Sequence, residues 1–80
     1  MGGEVVTTIR EQTFPLGTVI YLVDPVNAPK EQIKSISVNG VTIDGKEIEE
    51  IRNDNKDIKF KRQIGTLTNI GDEVIIYLKD

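Results

Sequence analysis

The chain contains no cysteine, no histidine and no tryptophan. Without cysteine there is no disulfide framework, no thiolate nucleophile and no soft metal site. Without histidine the commonest general base and the commonest transition-metal ligand are both missing. Ser35 and Ser37 therefore have no imidazole to activate them, and nucleophilic catalysis finds no support. The glycines fit neither the phosphate-loop nor the dinucleotide fingerprint. These absences lead to the expectation of no enzyme, no cofactor, no metal and no evident small-molecule substrate.

Long apolar runs are missing too. No stretch approaches the ~18 residues of a membrane-spanning helix, and the first residues lack the basic-then-apolar pattern of an export signal. Localisation is left open. No Asn-x-Ser/Thr sequon occurs, so N-glycosylation has no acceptor. Aromatics number only four in 80 residues that are 38% hydrophobic, so the core must come from Val, Ile and Leu, which favours strands. Eighty residues support one modest core and hence one domain over 1–80, with the first three residues expected outside it. A scaffold of this size without staples is worth ~3–5 kcal/mol.

Charge is unevenly placed around a net −3. Asp44 to Asp54 carry five acids against two bases, and Lys56 to Arg62 carry four bases against one acid. The acidic balance (pI near 4.9) disfavours a nucleic-acid partner, since phosphate neutralisation requires a basic surface.

Alternation predicts strands. Val5, Thr7 and Ile9 share one face of the stretch from Glu4 to Thr13. Phe14-Pro15-Leu16-Gly17 has type I turn chemistry and leads into Thr18 to Val23. That returning stretch and Val74 to Leu78 are apolar on both faces, as expected of central strands, with Tyr21 and Tyr77 in the core and their hydroxyls at its rim. Asn39-Gly40 supplies the two positive-φ positions of a type I′ turn, which pairs Val38 with Val41 and Ile36 with Ile43 in an edge hairpin. Ile48 and Ile51, three apart, predict a short helix near 46–52 begun by Asp44. Asn53 to Lys56 is turn-forming. Ile58 to Ile64 alternates as a strand with Ile58, Phe60 and Ile64 inward, and Leu67 and Ile70 tuck beneath the sheet before the last strand. The sum is an all-β or β-dominated α+β domain, a small five- to six-stranded barrel or sandwich.

Three clusters merit a chemical reading. Asp44, Glu47, Glu49 and Glu50 could do acid–base work only if burial separated their pKa values; a solvated face is the simpler reading. Asn53, Asn55 and Asp57 have the 1-3-5 spacing of a calcium loop, but Ile58 stands where the sharp turn needs glycine and Ile64 where a bidentate Glu belongs. Lys56, Lys59, Lys61 and Arg62 form a basic strand whose one aromatic, Phe60, points to the opposite face, which suggests lysines guarding an edge. The long connection from Asp24 to Lys34, with Asp24, Pro25, Asn27 and Pro29 at its tip, is where a small domain carries a binding loop. The expectation is a non-catalytic structural or protein-interaction module, one that self-associates or holds a protein partner through Lys56, Lys59, Lys61, Arg62 or that loop. Assembly components of phage particles or surface layers are of this kind. The alternative is a small nucleic-acid-binding barrel using residues 56–62.

Overall fold

A single antiparallel sheet, curled into a half-barrel, makes up this computed structural model, which describes residues 2–12, 18–64 and 68–80. Its strands are β1 (Glu4–Gln12), β2 (Val19–Leu22), β3 (Ile33–Val38), β4 (Val41–Asp44), β5 (Ile48–Arg52), β6 (Asp57–Phe60) and β7 (Glu73–Leu78). They lie in the order β4-β3-β7-β1-β2-β6-β5. The β-dominated class is as the sequence implies, with one strand more than expected. The most apolar stretches take central places: β7 lies between β3 and β1, and β2 between β1 and β6.

The core fills the concave face and is mainly isoleucine, with Phe60 its one aromatic among the described residues. Ile20, Leu22, Ile36, Val74 and Ile76 are fully enclosed. The tyrosines, by contrast, do not join it. Tyr77 is 37% exposed, and Tyr21 is half-buried on the convex side with the Arg10 guanidinium 5.8 Å from its ring centroid. Strand alternation decides this, because Ile20, Leu22 and Ile76 take the inward positions. Ile70, expected beneath the sheet, is 71% exposed on the turn before β7, where Gly71 and Ile9 bond backbone to backbone; Leu67 lies outside the described residues, as does the turn at 14–17.

The expected helix at 46–52 is instead one 3-10 turn, Gly45–Glu47, followed by strand β5. Ile48 and Ile51 do share a face, but a β-bulge puts them there: Ile48 pairs with Phe60 and Glu50 with Lys59, leaving Glu49 as the extra residue. Two residues against one allow side chains three apart to point the same way. The same device at Lys34 sends both Ile33 and Ile36 inward, and a third irregularity lies between Ile9 and Glu11 on β1. Each bulge also adds local twist, which helps seven strands curl.

The hairpin of β3 and β4 forms as the dipeptide requires. Asn39 and Gly40 have φ of 54° and 77°, and Val38 pairs with Val41, Ile36 with Ile43. Replacing Gly40 by Ala puts a Cβ into open space but at a left-handed φ, so a loss of about 1 kcal/mol is expected. Urea denaturation checks this.

The connection after β2 is pinned. Val26 is fully buried, its N–H donates to the Asn55 carbonyl at 2.7 Å, and the Asp24 N–H donates to the buried Thr7 hydroxyl at 3.0 Å. Gly3, expected outside the domain, accepts the Leu78 N–H at 2.8 Å and so continues the ladder between β1 and β7.

Candidate functional site

Two surface features converge where β4 leads into β5. The first is the outer edge of β4. Val38 and Val41 flank a two-residue turn and so form a hydrogen-bonded pair, as do Ile36 and Ile43 two positions on. Thr42, between them, directs its N–H and C=O away from β3, and among the described residues no strand pairs with that side. Beside it runs a groove of about 350 Å³ lined by Val41, Thr42, Ile43, Glu47, Arg62, Gln63 and Ile64. Arg62 crosses it to Glu47, Nε to Oε2 at 2.9 Å. The other edge, β5, carries Glu49, Glu50 and Arg52, charges that discourage pairing. Val41-Thr42-Ile43 carries none.

The second feature is a depression of about 400 Å³ at the end of the sheet where β3 and β5 begin and β4, β6 and β7 finish. Five of the chain's seven lysines line it: Lys30, Lys34, Lys46, Lys61 and Lys79. Main-chain bonds fix their arrangement, with Lys61 N–H on the Glu47 carbonyl and Lys79 N–H on the Gln32 carbonyl, each at 2.8 Å. Gly45 sits so close to β3 that a Cβ there would fall 2.1 Å from the Ile33 oxygen. Lys30 Nζ donates to the Glu49 carbonyl at 2.7 Å. Among the described residues the other four lysines make no ion pair within 4 Å. The acids on the rim are Glu31 and Asp44, and Asp44 accepts the Lys46 N–H at 2.8 Å.

The basic stretch expected to act together is divided. Lys56 is exposed on the turn after β5; Lys59 pairs with Glu49 at 3.0 Å; Lys61 joins the depression; Arg62 pairs with Glu47 in the groove. Nor do these lysines guard an edge, since β6 lies between β2 and β5. Phe60 is inward, 1% exposed. In the loop, Asp24, Asn27 and Pro29 are exposed and Pro25 is half-buried around the Val26 anchor; none of the four lines either feature, although Pro29 directly precedes Lys30 of the depression.

Of the acids, Glu47, Glu49 and Glu50 each face a cation, in exposed pairs worth up to ~1 kcal/mol. Asn53, Asp54 and Asn55 take φ of 51° to 64°, which explains their residue types by left-handed turn geometry. The Asn53 amide bonds the buried Asp57 carboxylate, and among the described residues no group of three or more acids is placed to hold a metal ion.

The lysine depression has no sequence motif. Its members come from four separated segments, and only the strand order brings them together. One signal was present: Lys34, Lys46, Lys61 and Lys79 all lie near a strand terminus.

The fold defines the chain as a small, curled, antiparallel half-barrel. Comparison with protein-family models, with curated proteins and with solved structures finds no match.

Proposed function

We propose that the protein is a non-catalytic interaction module that takes up an extended segment of a protein partner as an eighth strand beside β4. The observation that carries this reading is the uncharged outer side of Val41-Thr42-Ile43, with which no strand pairs among the described residues, beside a groove of about 350 Å³. Strand addition draws affinity from main-chain hydrogen bonds and specificity from alternate side-chain pockets. Here Thr42 would supply the donor and acceptor. Half-buried Val41 would offer the apolar contact, and the Arg62–Glu47 pair a polar rim.

Thr42→Pro tests it. A proline at an outward-facing edge position removes a donor that the ladder does not use, so stability should stay within ~1 kcal/mol of the parent. Peptides selected from a display library against the parent should shift the Thr42 and Arg62 amide resonances and bind the variant at least tenfold more weakly. Undiminished binding to the variant, or no selection of extended peptides, contradicts the reading. Light scattering over a wide concentration range identifies the self-associating form: a discrete dimer that Thr42→Pro dissolves makes a second copy the occupant.

A further inference from the structure

We infer that the lysine-lined depression is a binding site for a compact anion carrying two or more adjacent phosphate groups. It lies next to the β4 groove but shares only the turn at 45–47 with it, so either proposal can fail alone.

The charge distribution is the first reason. In a chain of net −3, chance favours acids near every lysine, and Lys59 indeed has one. Lys34, Lys46, Lys61 and Lys79 instead line one depression with Lys30, five lysines against the two acids Glu31 and Asp44, and among the described residues these four make no ion pair. Like charges gathered on one surface repel and oppose the compact state. A bound polyanion would relieve that repulsion.

The lining chooses among anions. No arginine lines the depression, so the planar fork that selects carboxylates in bidentate fashion is missing. Ammonium groups act as point charges and suit oxygens spread around tetrahedral phosphorus. Among the described residues no aromatic lines it either, so they supply no stacking platform of the kind that single-stranded nucleic acid uses. A volume of about 400 Å³ lies at the small end of ligand sites. A short oligophosphate or a multiply phosphorylated headgroup meets all three conditions.

The test uses inorganic tripolyphosphate as probe, followed by amide chemical shifts at constant ionic strength. The expected result is saturable movement of the resonances of Lys34, Lys46, Lys61 and Lys79, with those of Lys56 and Lys59 unmoved. Lys46→Glu with Lys61→Glu should weaken binding at least tenfold, and Lys56→Glu with Lys59→Glu should change it less than twofold. The first pair, relieving repulsion, should also melt no lower than the parent in low salt, which separates lost binding from lost folding. Vesicles containing a phosphatidylinositol bisphosphate distinguish the source. Retention on them as well as tripolyphosphate binding assigns a lipid headgroup, whereas tripolyphosphate binding alone assigns a free oligophosphate. Non-saturating shifts spread over all lysines, or equal binding by the Lys46/Lys61 variant, would overturn the proposal.

Discussion

Phe60→Ala is expected to leave the chain largely unfolded at 25 °C. Phe60 is the only large aromatic in the described core, 1% exposed, with Ile48 opposite it on β5 and its N–H on the Thr18 carbonyl. Truncation leaves a cavity among isoleucines whose β-branched side chains have little rotamer freedom to fill it. Substitutions of this kind cost about 3–5 kcal/mol. A scaffold of this size has roughly that much to lose. Circular dichroism with urea titration reads the result, and a loss below ~1 kcal/mol would show that Phe60 is peripheral. Phe60→Leu, which keeps most of the volume, should lose about 1–2 kcal/mol and stay folded.

Gly45→Ala is expected to be nearly as damaging, although it adds one methyl group at a half-buried position. Glycine is needed at this position for space. A Cβ would sit 2.1 Å from the Ile33 oxygen, 3.0 Å from the Ile33 carbonyl carbon and 3.2 Å from the Lys34 oxygen. All three are backbone atoms, so no side chain can rotate away. The turn at 45–47 must lift from the start of β3, at a loss of ~3 kcal/mol or more. Since that contact sets Lys46 beside Lys34, the variant should also bind tripolyphosphate more weakly even where it remains folded. The contrast with Gly40→Ala, which meets nothing and loses about 1 kcal/mol, separates a steric requirement from a conformational one. Equal losses at the two glycines would contradict this distinction.

These two residues also mark what was and was not legible in the chain. Phe60 could be placed inward because Ile58 and Phe60 alternate without interruption, and Asn39-Gly40 dictated both a turn and its register. The segment Ile48 to Arg52 imitates a helix for a definite reason. A bulge converts the period of a strand locally from two to three, and in a five-residue stretch that imitates a helical turn. Lys34 and Glu49 carry no local mark as bulge residues; the pairing partners decide it. The tyrosines lie outside the core because a strand with apolar residues on both faces can be central in its sheet yet bare on its convex side. The candidate site was the least legible part. A β4 edge unpaired among the described residues and a four-segment lysine cluster are consequences of strand order, and strand order is a long-range property that no window of sequence contains.

The most direct test of an open, receptive edge is residue-by-residue amide hydrogen exchange along β4, at a concentration where light scattering gives the mass of a monomer. Val41 and Ile43, bonded to Val38 and Ile36, should exchange slowly, and Thr42 between them should exchange at close to the rate of an unprotected amide. A Thr42 amide as protected as that of Ile43 would mean that another part of the chain already occupies the edge, and would contradict strand addition at β4.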